Sequence, residues 1–337
     1  MNYIVYKNEN ALYYECGYSC DNAIFVKLGE DSFFITDGRY EIDAKESLKD
    51  TQVIIAKSLV LEVAKILKTY KVKKVIIDPN EWTLFSFNLL KENTPVKFKL
   101  IPSFSHKKRL VKTNKELEYL SKAVKLGRKA FKRVSKEIQE GLSEQELNFL
   151  AESILRDYGK RDLSFEPILA IDENASKPHA MPTKKVLKSG ATLLFDAGVK
   201  YRRYCSDRTR TAEFKDGFHF KYRQKFKSKK IQKAYDTVLK AHDMAIKKAR
   251  SGMSGANIDK IARDVIEKAN MGQYFVHSTG HGVGLDIHEM PYISASSNTI
   301  IEDNMVFTIE PGIYIEGEFG IRIEDMVVMK NGRAELL

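Results

Sequence analysis

Cysteine is scarce in this chain: Cys16, Cys20 and Cys205 are the only three in 337 residues. Three thiols are too few for a disulfide framework or for a structural zinc site of four thiolates. Reduced thiols suit a cytoplasmic setting. The opening MNYIVYKNENALYYECGY places polar and acidic residues where a secretion signal needs an unbroken apolar run. The expectation is therefore a mature, cytoplasmic protein. No apolar run reaches the roughly 18 residues that a membrane-spanning helix needs, so no membrane partner is expected. Proline and glycine, 8 and 19 residues, are dispersed and mark no low-complexity segment.

What is present is a globular composition, 43% hydrophobic and 30% charged. The length exceeds one ordinary compact domain and predicts two. Acidic residues are the minority, and the net charge is +11. Most of the excess is lysine scattered along the chain, which reads as solvated surface. One stretch is denser: 217–230, GFHFKYRQKFKSKK, interleaves four aromatic with six basic residues. Basic residues interleaved with aromatics can grip single-stranded nucleic acid. The simpler reading is an exposed connection whose aromatics pack against the body. Nothing else resembles a nucleic-acid module, and nucleic acid is not an expected partner.

Runs rich in β-branched and aromatic residues predict strands at Ala23–Leu28, Ser32–Thr36, Gln52–Ala56 and Lys74–Ile77. Helical patterns fall at Glu41–Leu48, Ser58–Thr69 and Glu81–Lys91. The alternation argues for an α/β domain over residues 1–110, with Pro102–Val111 as its exit linker. A long amphipathic helix is expected over Asn114–Gly141, and a second from a capping box at Ser143 with Glu146, ending near Tyr158. This pair recurs. A shift of 111 residues aligns Gly141-Leu142-Ser143 with Gly252-Met253-Ser254, and Leu147, Ala151 and Leu155 with Ile258, Ala262 and Ile266. Residues 112–337 are accordingly expected to form one domain of two related halves, each a helix pair followed by strands.

The chemistry-bearing residues lie in this second region. Asp196 sits in the strand-like ATLLFDAGV and Asp207 in YCSDRTRT. An antiparallel hairpin turning at Tyr201-Arg202 would set the two carboxylates opposite each other, an arrangement that calls for a cation. His277, His281 and His288 fall within twelve residues, out of seven histidines in the chain. Glu310 interrupts the apolar VFTIEPGIY, and Glu324 lies within GIRIEDMVVM. Carboxylates inside apolar strands are costly unless paired or bound to metal. The residues leave two solutions open: an ion-pair network with Arg208, Arg210 and Arg322, or a metal centre. As ligands, four carboxylates with imidazole suit Mn²⁺, Co²⁺, Zn²⁺ or Fe²⁺.

DAG at Asp196, SDRTRT at Asp207, GHGVGLDIHE from Gly280, TIEPGIY at Glu310 and GIRIED at Glu324 stand in one order, with the aspartates 11 positions apart. In this order they resemble the pita-bread metallopeptidases of the methionine aminopeptidase/creatinase superfamily, specifically the aminopeptidase P and prolidase branch. ITDGRY at Ile35–Tyr40 resembles the creatinase-type N-terminal domain. The resemblance implies an α/β, ribonuclease-H-like N-terminal domain followed by an α+β pita-bread catalytic domain with pseudo-twofold halves. It further implies two divalent metal ions, Mn²⁺ first among the candidates. Asp196 would hold one ion and His281 with Glu310 the other, with Asp207 and Glu324 bridging. Glu310 would shuttle the proton, and His288 and His179 would face the scissile carbonyl or the intermediate. His277, Tyr314 and Arg322 match positions near the proline pocket. Family members are often homodimers.

The expected activity is hydrolysis of the Xaa-Pro bond at the N-terminus of peptides with proline second, by an Xaa-Pro aminopeptidase. The alternative is an Xaa-Pro dipeptidase (prolidase), and a more distant one a non-enzymatic peptide- or nucleic-acid-binding protein on the same fold. The stretch 217–230 is longer than the family pattern. It is expected to edge the substrate channel, to meet a dimer partner, or to decorate the surface.

Overall fold

Short apolar runs, buried on both faces in the central strands, give the first third of the chain its sheet. In the computed structural model, which describes residues 1–337, contacts divide the chain into the units Met1–Arg109 and Leu110–Leu337. The first unit runs β1 (Tyr3–Tyr6), α1 (Glu9–Cys16), β2 (Ala23–Leu28), β3 (Asp31–Thr36), α2 (Glu41–Ser47) and β4 (Gln52–Ile55). It continues with α3 (Leu59–Thr69), β5 (Lys74–Ile77), α4 (Leu84–Glu92), β6 (Lys97–Leu100) and α5 (Phe104–Lys108). One mixed sheet of order β4-β3-β2-β1-β5-β6 results. Successive side chains point to opposite faces. Ile4, Ile24, Val26 and Ile35 pack on Val63 and Leu67 of α3. Val5, Phe25 and Phe34 pack on Leu12 of α1 and Ala44 of α2. The expected linker at Pro102–Val111 is instead partly helical, because Phe104 of α5 buries in that second core.

The second unit opens with α6 (Asn114–Glu137) and α7 (Glu144–Arg156), followed by β7 (Ile168–Ile171), β8 (Thr192–Asp196), β9 (Lys200–Tyr201), β10 (Tyr204–Cys205) and β11 (Thr209–Glu213). A second helix pair, α8 (Lys229–Lys248) and α9 (Gly255–Lys268), precedes β12 (Gly280–Gly282), β13 (Glu289–Ile293) and β14 (Val306–Ile309). The chain ends with β15 (Gly312–Ile315), β16 (Phe319–Arg322), β17 (Asp325–Lys330) and β18 (Arg333–Leu336).

The internal repeat is visible in the backbone. Gly141 and Gly252 adopt φ of +92° and +90°, a conformation that side chains disfavour. Two residues on, Ser143 and Ser254 each close a capping box, with Glu146 and Asn257. Leu147, Ala151 and Leu155, like Ile258, Ala262 and Ile266, are fully buried. Each half has its own core, α6 and α7 over β7 and β8, and α8 and α9 over β14 to β17. Helix α6 ends at Glu137, short of the expected Gly141, which forms the turn into α7 instead.

The hairpin after β8 corrects the expected register. Tyr201 pairs with Tyr204, and Arg202 and Arg203 take φ of +48° and +69°, as a two-residue turn with both central residues left-handed requires. The turn centre therefore sits one residue later than expected, and Asp196 pairs with Thr209 rather than Asp207. Asp207 falls opposite Gly198, where a Cβ would lie 1.8 Å from the Ser206 carbonyl oxygen. The slip is two residues, so both aspartates still project from one face.

The stretch 217–230 is mostly irregular. Phe218 and Phe220 bury in the first half's core and Phe226 in the second's. This is the packed connection of the simpler reading, and it lines none of the cavity described next.

Candidate metal centre

The two halves meet along β11 and the break between β16 and β17. The Glu324 amide donates to the Thr209 carbonyl at 3.1 Å, and Thr211 exchanges hydrogen bonds with the Arg322 backbone. Asp196 closes β8 and Asp207 precedes β11, both from the first half; His281 on β12, Glu310 after β14 and Glu324 before β17 come from the second. The two glutamates thus sit at strand ends, not inside strands as their sequence surroundings suggest. Pro311 has no amide hydrogen and stops the ladder just after Glu310.

His281 Nε2 lies 3.3 Å from a Glu310 oxygen and 3.6 Å from an Asp207 oxygen. Donor atoms of Asp207, His281 and Glu324 are all within 4.8 Å of one another. His281 Nδ1 is 3.1 Å from the Gly282 carbonyl oxygen. As Nδ1–H must donate there, the Nε2 lone pair faces the carboxylates, the usual arrangement of a metal-ligating imidazole. The glycines flanking His281 permit the packing: a Cβ on Gly280 would stand 2.0 Å from the Thr308 carbonyl oxygen.

Charge balance argues that a cation belongs here. Asp196, Asp207 and Glu324 are buried, and Asp196 Oδ1, Asp207 Oδ1 and Glu324 Oε1 have no hydrogen-bond partner. Burial, then Glu324 and Asp196, pushes Asp207 well above the usual carboxylate range; burial, then Glu310, does the same to Glu324. Glu310 is also raised, chiefly by burial, and burial pushes His281 down. Orphaned carboxylate oxygens are expensive in a protein interior. A hard oxygen and nitrogen donor set of this kind fits divalent ions.

One guanidinium offsets part of the charge. Arg322 Nη2 donates to Asp196 Oδ2 at 2.6 Å and Nε to Thr209 Oγ1 at 3.0 Å, while Nη1 donates to the Tyr314 hydroxyl at 2.8 Å and the Pro178 carbonyl at 3.1 Å. All three nitrogens are engaged by the protein. Thr209 in turn donates its hydroxyl to Glu324 Oε2 at 2.7 Å. The sequence reading missed Thr209, although it stands two residues after Asp207 and so on the same strand face. It also missed Lys112, whose Nζ donates to Glu289 at 2.7 Å with both side chains 1% exposed, anchoring the strand that follows His288.

The ligand set opens into a cavity of about 360 Å³ also lined by His179, His277, His288 and Tyr292. His288 is exposed but stacks edge-on against His281 at 4.3 Å between ring centroids. Burial, then His281, pushes its imidazole down to about 4. His179 is also exposed, whereas His277 lies deeper, its Nε2 2.9 Å from the Tyr314 hydroxyl. The structure thus brings every predicted ligand and active-site residue except Tyr314 to the lining of one cavity, and Tyr314 is bonded to His277 and Arg322 of that lining. Arg208 and Arg210, the other candidate ion-pair partners, line a different cavity.

Carboxylates from two pseudo-symmetric halves, gathered around an imidazole and short of positive charge, define a metalloprotein. Comparison with known proteins narrows this to a family. Residues 118–331 match metallopeptidase family M24 and residues 2–111 the creatinase/prolidase N-terminal domain; the chain belongs to this metallopeptidase family and has its pita-bread architecture. A Mycoplasma pneumoniae protein provisionally named Xaa-Pro aminopeptidase is 36% identical over 88% of this chain and 81% of its own. The structure of an Xaa-Pro dipeptidase from Bacillus anthracis superimposes with a TM-score of 0.90 at 31% identity, covering 99% of this chain and 92% of the other. That of an X-Pro aminopeptidase from Thermotoga maritima does so with a TM-score of 0.87 at 30% identity, covering 99% and 94%.

Proposed function

We propose that the chain is a metal-dependent exopeptidase that hydrolyses the Xaa-Pro bond at the N-terminus of peptides, an Xaa-Pro aminopeptidase. The observation that carries this reading is the set Asp196, Asp207, His281 and Glu324, all buried, with the partly buried Glu310, in which three carboxylate oxygens are left without a partner. We assign Asp196 to one ion, His281 and Glu310 to the other, and Asp207 and Glu324 to both. Divalent ions held there would supply Lewis acidity, making the attacking water more acidic. Mn²⁺ is our first candidate, with Co²⁺, Zn²⁺ or Fe²⁺ as substitutes.

The remaining chemistry belongs to the side chains. Glu310 accepts the proton of the attacking water at its carboxylate and passes it to the leaving proline nitrogen. His288 and His179 face the scissile carbonyl, where an imidazole N–H donates to the developing oxyanion. His277 and Tyr314 shape the proline side of the cavity. Arg322, its nitrogens already engaged, is a positioning residue that holds Asp196 and Thr209. We place the enzyme in the cytoplasm as a homodimer.

A second reading keeps the same centre but restricts substrates to Xaa-Pro dipeptides. The likeness to the Bacillus anthracis Xaa-Pro dipeptidase favours it. Hydrolysis of Ala-Pro and Ala-Pro-Ala by Mn²⁺-loaded protein separates the two. Release of alanine from the tripeptide is the expected result; cleavage of the dipeptide alone would replace aminopeptidase with prolidase.

A further inference from the structure

On the face of β11 opposite the metal ligands lies a second, larger cavity of about 1020 Å³, to which the proposed function gives no role. Strand alternation produces it: Asp207 and Thr209 point to the metal centre, whereas Arg208 and Arg210 point away. Arg128, Lys132 and Lys136 of α6 form one wall and Lys247 of α8 the other, while Phe220, Lys221 and Tyr222 contribute from the 217–230 stretch. Seven Lys and Arg side chains therefore face two carboxylates. Both carboxylates are engaged: Asp325 accepts from Arg210 Nη2 at 2.8 and 2.7 Å, and Asp243 accepts from the Tyr222 hydroxyl.

Arg208 carries the argument furthest. It is mostly buried, its Nε is shielded from solvent without a hydrogen-bond partner, and its guanidinium lies 5.5 Å over the Phe131 ring. Arg210 Nε is likewise buried without a partner. A guanidinium nitrogen left desolvated and without a partner is costly, and Arg forks pair best with phosphate or carboxylate oxygens. The charge lines a concavity with Phe131, Phe220 and Tyr222 in its walls. Several cations plus aromatic surface call for a ligand combining several phosphate charges with a flat ring, and the volume suits one small molecule.

We propose that this cavity binds an organic phosphate of nucleotide size, its phosphates on Arg208 and the α6 and α8 cations and its ring against the aromatic wall. The site gives part of the basic-aromatic stretch a role, since Phe220 and Tyr222 wall the cavity and Lys221 adds charge. A volume sized for one small molecule, walled by α6, α8 and the 217–230 stretch, favours a small ligand over a nucleic-acid strand.

Equilibrium dialysis of radiolabelled ATP against the metal-loaded enzyme, with excess Mg²⁺, tests the proposal. The expected result is a single saturable site per chain that inorganic pyrophosphate fills more weakly. The double variant R128E/K247E should weaken ATP at least about tenfold, since each charged hydrogen bond lost is worth that much. Its peptidase turnover reports correct folding. His281→Ala, which disables the metal centre, should leave ATP binding intact. Absence of saturable binding, equal affinity in the double variant, or loss of binding in His281→Ala alone would each overturn the proposal. So would a single-stranded oligonucleotide that binds more tightly than ATP and is not displaced by it.

Discussion

Replacing Thr209 by valine keeps the side-chain shape and removes one hydroxyl, and the structure assigns that hydroxyl two partners. It donates to Glu324 Oε2 at 2.7 Å and accepts from Arg322 Nε at 3.0 Å, at a position fully shielded from solvent. Hydrogen bonds to charged groups contribute about 1.5–3 kcal/mol each. Because one hydroxyl serves both, the losses overlap, and a combined cost of about 2–4 kcal/mol is expected. For a unit the size of Leu110–Leu337 this lowers the melting temperature by about 4–16 °C. Glu324 also loses a constraint on its orientation, so Mn²⁺ affinity should fall about 10- to 100-fold. Calorimetric titration of Mn²⁺ into chelator-stripped protein reads the affinity, and scanning calorimetry the stability. Thr209→Ser, which keeps the hydroxyl, should recover most of both. A valine variant indistinguishable from wild type in both measurements would refute the role given to Thr209.

Glu310→Gln should lower turnover of an Xaa-Pro peptide at least about 10²-fold while leaving the circular dichroism spectrum unchanged. Gly280→Ala forces a Cβ to within 2.0 Å of the Thr308 carbonyl oxygen; urea unfolding should show a loss of about 1–3 kcal/mol or more. Chelator-stripped protein should lose stability as pH rises above about 6.5. Burial holds Asp207, Glu310 and Glu324 above their ordinary values, so the folded state retains protons there that the unfolded state has released. His277, His281 and His288, pushed down by burial, act below that pH and in the opposite sense. A melting temperature that climbs between neutral and mildly alkaline pH would contradict this. Saturating Mn²⁺ should raise it most at neutral pH and above, since binding to the folded state alone adds stability by mass action.

The most legible parts of the chain were those whose burial writes a pattern into neighbouring residues. Strands β2 and β3 are buried along most of their length and read as continuous apolar runs. Strands β1 and β6 were not anticipated, as four-residue runs such as YIVY and KFKL are too short to show a period. The repeat was readable because a left-handed glycine, a serine cap and a buried helix face recur together. The hairpin register was not readable, since Arg202 and Arg203 adopt left-handed φ without the Asn-Gly signature that announces it. At the site, carboxylates in apolar surroundings drew attention on their own. Thr209 and Lys112 did not, because a threonine in a strand and a lysine before a helix are ordinary until their partners, 115 and 177 residues away, are known. The second cavity shows the same limit: its charge came from elements distant in sequence, and only the 217–230 stretch stood out.

The central claim is that five residues from two halves of one domain hold the ions that make this chain a peptidase for Xaa-Pro bonds. Stripping the protein with a chelator, restoring Mn²⁺ stepwise and following alanine release from Ala-Pro-Ala tests it most directly, with Asp207→Asn run in parallel. The account predicts no turnover without metal, recovery complete near two ions per chain, and no recovery in the variant, which removes a carboxylate assigned to both ions. Undiminished hydrolysis by the stripped protein, or full recovery in Asp207→Asn, would contradict it.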